Sequence, residues 1–315
     1  MNFGLRCLGV SLAFFFIFYC AFSLAVARGW RLVARLVRLL PARHIADVLF
    51  FLRILPTSAS LMICAAFVIP SFLLLEPRVS SEGVGEIPLV LGTGCALLFV
   101  AGILNAWAAY VRTEQVVERW VKGATELPAR GTVRIFEIQP EVPALTLTGL
   151  CFPKVLVSSL AAALLGPDEL NAALKHEIAH FRRRDNLKKL LFRVCVFPGM
   201  SALEAAWSSA EEMAADDEAV NSTREALDLA AALIKLSRLA VQPAAALTTA
   251  LLQEASSVNA RIERLVIWED SRRKHSQSSR RLYLRSAAAG SLLAVLLTYG
   301  LAIREVHTLT ELLVR

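Results

Sequence analysis

Long parts of this chain carry no charge at all. Four stretches, 7–27, 54–75, 87–111 and 286–303, contain no Asp, Glu, Lys or Arg. A chain of 315 residues with mean hydropathy +0.54 and such runs is not an ordinary soluble protein. A helix needs roughly 20 apolar residues to cross the hydrocarbon core, so all four read as membrane spans. Cysteine is sparse and unpatterned. The six cysteines show no CxxC spacing, which gives neither a zinc ribbon nor a disulfide frame. The basic clusters lack interleaved aromatics and border the apolar runs, which excludes direct nucleic-acid binding. Their simplest partner is the lipid bilayer, through its anionic headgroups.

The sign of the flanking charge gives an orientation. Loop 28–53 holds six arginines against Asp47, whereas the next connection is acidic, with Glu76, Glu82 and Glu86. Arg112, Arg119 and Lys122 follow the third run, and Arg272, Arg273, Lys274, Arg280, Arg281 and Arg285 precede the fourth. This places the N-terminus outside, loop 28–53 and residues 112–285 in the cytosol, and the tail 304–315 outside. The chain is then a multi-pass protein of the cytoplasmic (inner) membrane. The first run resembles a signal peptide at Ala25-Val26-Ala27. It is longer than a signal core, though, and is followed by Arg28, Arg31, Arg35 and Arg38, so a retained anchor is expected. In 28–39 the arginines alternate with leucines. Two readings fit: an amphipathic helix on the inner surface, or a continuation of the first span.

What the chain does have is His176-Glu177-Ile178-Ala179-His180. Residues four apart share a helix face, so two imidazoles there can grip one metal ion, and Glu177 can reach a water bound to it. Two imidazoles suit Zn²⁺. The surroundings favour a helix. Pro167 fits a first helical position, and Asp168 and Glu169 suit the positive end of the dipole. Leu170, Leu174, Ile178 and Phe181 recur at helical spacing, and neither Gly nor Pro interrupts before Pro198. Zinc held by two histidines needs a third protein ligand. The stretch Glu211-Glu212-Met213-Ala214-Ala215-Asp216 supplies one. Glu212 is the preferred ligand, with Asp216 one turn on to accept the outer N–H of a liganding His; Glu211 competes for the same part.

Around these motifs, 112–129 reads as a polar helix. Residues 132–138, 145–148 and 154–158 alternate or are β-branched and read as short strands. An extended substrate could add to such a sheet edge beside the metal. Pro56 and Pro70 are positions for kinks in the second span, and Asn105 is a helix-to-helix hydrogen-bonding group in the third. The run 190–203 reads as buried or membrane-skirting. Residues 224–270 read as helical, with Leu227, Leu229, Leu233, Leu236 and Leu239 as the packing face, and 271–281 reads as an exposed loop.

The strings TGLCFPKVLVSS, LGPDELNAALKHEIAHFRRRDNLKKLL, EEMAADDEAV and RIERL together resemble the membrane zinc peptidases related to the β-lactam sensors BlaR and MecR. The resemblance covers about 112–285, with three spans before and one after. It implies a mainly helical membrane protein: four transmembrane helices with a cytosolic α+β, gluzincin-like zinc peptidase domain between spans three and four. On the matching positions it implies His176, His180 and Glu212 as zinc ligands, Glu177 as catalytic base and Asp216 as the acid of an ExxxD element. Asp185, five residues past the motif, takes a capping or salt-bridge role. The sensors carry an external penicillin-binding domain after the last span, where this chain has twelve residues. Antibiotic sensing by this chain alone is therefore not expected, and a separate sensor protein is an expected partner. The implied substrate is a protein, either a cytosolic repressor or a membrane protein, cut in regulatory signalling. The alternative from a different class is a non-catalytic docking or signalling protein that uses the zinc domain as a binding module. A transporter fits poorly, because none of the spans contains a charged residue.

Overall fold

The computed structural model describes residues 3–76, 85–130, 133–139, 145–150, 152–239, 249–250, 255–268, 305–306 and 308–309. The run 286–303 and the loop 271–281 lie outside the described residues. Among the described residues, three helices are long and apolar enough to cross a membrane: Phe3–Val37, Ala42–Leu75 and Glu86–Val121.

The first, α1, is Phe3–Val37. The continuation reading of 28–39 therefore holds as far as Val37, and Leu32 and Leu36 on this extension are exposed. The second begins as α2 (Ala42–Ile63), passes through a π-helical turn at Cys64–Val68 and ends as α3 (Ile69–Leu75). The wide turn sits directly before Pro70, which has no N–H to give to the helix, and a π-turn absorbs that loss without ending the span. The third, α4, is Glu86–Val121.

The chain divides into two compact units. Among the described residues, one holds 3–29, 54–76, 85–101, 305–306 and 308–309, and the other holds 30–53 and the described residues from 102 to 268. In the first, aromatic rings do much of the packing. Phe15 meets Phe99 at 5.1 Å and Phe3 meets Phe72 at 5.2 Å between ring centroids. Arg6, buried, is ion-paired with Glu76.

The second unit carries a five-stranded sheet in the order β1-β2-β4-β3-β5. Its strands are β1 (Thr125–Arg130), β2 (Val133–Ile138), β3 (Leu145–Thr148), β4 (Lys154–Ser158) and β5 (Thr249–Ala250). β2 and β4 are parallel and the other neighbours antiparallel. The helices are α5 (Ser159–Leu164), α6 (Pro167–Arg183), α7 (Asp185–Val194), α8 (Ser201–Ala219), α9 (Thr223–Leu236) and α10 (Ala255–Val266). Their core joins Val155 and Val157 of β4 to Ala172 and Ala173 of α6 and to Leu229, Leu233 and Leu236 of α9.

Three expectations need correction. The polar helix stops at Val121, and Thr125–Arg130 is a strand. Gly123, at φ +83°, reverses the backbone there, and Leu127 is then matched with Ile135 across the β1–β2 ladder. The helical stretch 169–191 around His176 is not one helix: it breaks at Arg184, which is left-handed at φ 56°. The reach 224–270 is not one helix. α9 ends at Leu236, β5 intervenes and α10 begins at Ala255. On α9, Leu229, Leu233 and Leu236 face the core as expected, but Leu227 is exposed.

Candidate metal centre

Helix α6 starts where its sequence suggests. Gly166 caps it with extended backbone, Pro167 follows, and the Glu169 carboxylate accepts the Gly166 N–H at 2.8 Å. The buried face then runs Ala172, Ala173, Leu174, His176, Glu177, Ala179 and His180. Alanines on this face let α8 and α9 approach closely, and the only large polar groups brought inside are the two imidazoles and the glutamate between them. All three are fully buried.

The two histidines point their Nε2 atoms at each other, 3.1 Å apart. Glu212 of α8 lies over the gap, with Oε2 3.4 Å from His176 Nε2 and Oε1 3.6 Å from His180 Nε2. One atom from each of the three residues falls within 4.8 Å of the others. Two imidazoles at zinc-to-nitrogen distances of about 2.0–2.1 Å in a tetrahedral site have nitrogens about 3.3 Å apart, so the spacing suits Zn²⁺. Glu212 Oε1 is buried with no hydrogen-bond partner, which suits a metal-ligating atom. Among the described residues, a second group that meets the same distance test is His180, Asp185 and Glu211. It shares His180 with the first, but uses its other nitrogen's neighbourhood.

Both outer nitrogens are held by carboxylates. His176 Nδ1 is 2.9 Å from Asp216 Oδ1, and His180 Nδ1 is 2.8 Å from Asp185 Oδ2. In the neutral rings that metal binding requires, that arrangement puts the proton on Nδ1 and leaves each Nε2 to ligate. The break at Arg184 explains how Asp185 gets there. In a continuous helix a residue five past His180 would be rotated off its face; the left-handed residue swings the first turn of α7 back under the ring. Lys188 then bonds the other Asp185 oxygen at 2.9 Å.

Arg261 of α10 is the site residue that sequence reasoning missed. Almost fully buried, it donates from Nε and Nη2 to the two Asp216 oxygens at 2.8 and 2.7 Å, and its Nη1 lies 2.9 Å from Glu212 Oε2. The available signal was spacing: Arg261 falls three residues after Val258 and four before Leu265, on the apolar face of an amphipathic helix.

Glu177 points to β3. Its Oε2 accepts the Leu147 N–H at 2.9 Å, which ties the carboxylate to the strand nearest the centre. The outer side of β3 is not open along its length: Thr146 and Leu147 are matched with Ala250 and Thr249 of β5. The expected substrate edge is therefore partly occupied by the chain itself. Beside it lies a cavity of about 490 Å³, lined by Leu147, Leu150, His180, Phe181, Asp185 and Leu187 among others.

The electrostatics divide these acids. Burial raises Glu177 to about 7, against the opposing pull of the two histidines. Burial works in the same direction on Glu212, but Arg261 and the histidines outweigh it and hold that carboxyl well below its usual range. Burial by itself would lower His180; Glu212 and Asp185 overcome it and lift the ring to about 10. Glu211 is also fully buried and is raised to about 7 by burial, with Lys189 3.2 Å away as the counter-charge.

The structure thus brings His176, Glu177, His180, Glu212, Asp216 and Asp185 into one cluster and turns Glu211 away from the gap between the Nε2 atoms. Among known proteins, the model of peptidase family M48 matches residues 111–282, more than half of the chain. No curated protein matches it.

Proposed function

The chain belongs to peptidase family M48 and so to the zinc metallopeptidases, and from that premise we propose an integral-membrane zinc endopeptidase that cuts a protein substrate at the cytosolic face. The observation that carries this reading is the convergence of two imidazole Nε2 atoms and one carboxylate within 4.8 Å, with both outer nitrogens on carboxylates. In this reading His176, His180 and Glu212 hold the metal. When bound, zinc supplies Lewis acidity, polarising a peptide carbonyl and bringing the pKa of a coordinated water toward 7.

The remaining work falls to side chains. Glu177 takes a proton from the attacking water and passes it to the leaving amine. The Leu147 N–H fixes its carboxylate, and a pKa raised by burial suits a group that must both accept and return a proton near neutrality. Asp216 and Asp185 keep each ring in the ligating tautomer. Arg261 holds Asp216 through two bonds and places Glu212 Oε2, so that Oε1 would be the oxygen left to hold a metal.

The three apolar helices support a membrane protein. The finer parts of the proposal rest on the charge pattern and the motif strings: a fourth span at 286–303, the N-terminus outside, the site on the cytosolic side, and a regulatory role like that of the BlaR and MecR branch. A cytosolic repressor and a membrane protein both remain substrates that fit, with a separate sensor protein as partner.

The test compares detergent-purified variants by zinc content and by cleavage of unfolded casein. Glu177→Gln keeps about one zinc per chain and loses cleavage, whereas His180→Ala loses both. Zinc-dependent cleavage retained by the Gln variant overturns the role given to Glu177. If Glu177→Gln leaves cellular function intact while truncation abolishes it, the docking-module reading replaces the enzyme.

A further inference from the structure

The last carbonyls of an α-helix have no partner inside the helix and normally turn to water or to a cap. At the C-terminal end of α7 they turn to two of the apolar helices. Asn105 Nδ2 of α4 donates to Arg193 O at 3.2 Å. Arg53 Nη2 of α2 donates to Phe192 O at 3.3 Å and to Cys195 O at 2.6 Å, while its Nε bonds Glu204 at 2.7 Å. The Val194 carbonyl is pressed against Gly102: a Cβ there would stand 2.2 Å from Val194 O, so only glycine permits the approach. All of these residues belong to the unit that carries the metal centre.

The depth of this contact along α4 can be read from the sequence. The first charged residue after the apolar run is Arg112. At 1.5 Å per residue, Asn105 and Gly102 stand about 10 and 15 Å back from it toward the span interior. Backbone that enters hydrocarbon must have its polar groups satisfied by protein, since no water is there to do so. Arg53, 3 % exposed, and Asn105 perform that service here. In water the same carbonyls could be solvated without a buried side chain.

The Leu187–Leu191 side of the segment agrees, the exposed Arg193 lying on the other side of α7. Leu187 and Leu191, four apart on α7, are 38 % and 39 % exposed, and Val196 beyond them is 37 % exposed. Lys188 and Lys189 are turned inward to Asp185 and Glu211 and do not interrupt this stripe.

We propose that the C-terminal turn of α7 and the 195–199 connection are seated in the hydrocarbon edge of the bilayer, so that the metal-bearing unit contacts lipid acyl chains through Leu191 and Val196. α7 has ten residues, about 15 Å. Its first residue, Asp185, holds His180, and Leu187 lines the cavity beside that ring. One short helix therefore fixes the height of the metal centre above the lipid. Resting on the peptidase reading, the consequence is a site that works on polypeptide held close to the membrane. The contact itself requires neither metal nor turnover.

The experiment uses the full chain with its native cysteines replaced by alanine, reconstituted in lipid nanodiscs. A nitroxide is placed in turn at Leu191→Cys, Val196→Cys and the exposed control Arg182→Cys. Power saturation is read with molecular oxygen, which partitions into lipid, and with nickel-EDDA, which stays in water. Oxygen dominates at 191 and 196 and nickel at 182. Nickel dominating at 191 and 196 places the segment in water and overturns the proposal; shielding from both reagents shows protein cover and overturns it equally. Either position decides the matter if the other variant fails to purify as a monodisperse species. Because no step reads zinc or cleavage, the result stands apart from the fate of the peptidase reading.

Discussion

Glu211 and Glu212 are consecutive on α8, neither more than 2 % exposed, yet they face regions of opposite character. Glu212 turns to the gap between the imidazoles, where Arg261 and both histidines hold its carboxyl well below the usual range despite burial. Glu211 turns to the base of α7, where burial raises it to about 7 and Lys189 is the nearest cation. Burial is the same for both. The difference is the number and placement of fixed positive groups, and it decides which acid is a standing anion. A metal ligand must be one at neutral pH. The comparison thus separates two candidates that spacing left side by side.

Removing the ligand oxygen should have the greatest consequence. Elemental analysis of wild type gives about one zinc per chain. Glu212→Ala removes the one oxygen donor of the set and drops the content toward zero under dialysis against a weak chelator. Glu211→Ala retains the metal. The opposite pattern would transfer the ligand role to Glu211 and the second His180-centred group.

A smaller effect comes from Arg261. Removing one partner from a buried, hydrogen-bonded charge pair costs about 3–5 kcal/mol, and Arg261→Ala strands both Asp216 and Glu212. The metal-free protein should melt markedly lower. Added zinc should restore more stability to this variant than to wild type, because the ion replaces the lost positive charge beside Glu212. Equal gains in Tm from zinc in the two proteins would show that Arg261 does not share Glu212 with the metal.

Much of this centre was legible because its chemistry depends on local spacing. His176, Glu177 and His180 need only one helix, and Gly166-Pro167 announces its start. Strands β3 and β4 are legible from short β-branched runs. The rest depends on contacts between distant segments. The break at Arg184 carries no Gly or Pro, and it coincides with the pairing of Asp185 with His180, which only the folded chain displays. β1 was read as helix because its residues gain strand character only by pairing with β2. Arg261 and Arg53 looked like ordinary surface or membrane-flank charges. Each is buried, 1 % and 3 % exposed, because carboxylates or helix carbonyls from elsewhere in the chain converge on it. Glu211 and Glu212 could be ranked only weakly, since one residue of rotation on a helix is about 100° and the sequence does not give the phase.

The subtlest test of the comparison is pH. Glu211 has a folded pKa of about 7 against an ordinary value of 4.5. Below 4.5 it is protonated whether folded or unfolded and contributes nothing. Between 4.5 and 7 the folded chain keeps a proton that the unfolded chain has released, so the stability of the native state falls as pH rises, and above 7 the loss is complete. A shift of that size corresponds to about 3 kcal/mol. Glu211→Gln abolishes the ionisation, so relative to wild type it should gain stability between pH 5 and pH 8. The reading is the difference in Tm shift between those two pH values on chelator-treated protein. The attraction of Lys189 acts only on the ionised carboxylate at pH 8 and is already contained in the folded pKa of about 7. A shift that is the same at pH 5 and pH 8 would mean that Lys189 alone keeps Glu211 ionised across the range. The two neighbouring glutamates would then be alike in charge and different only in direction.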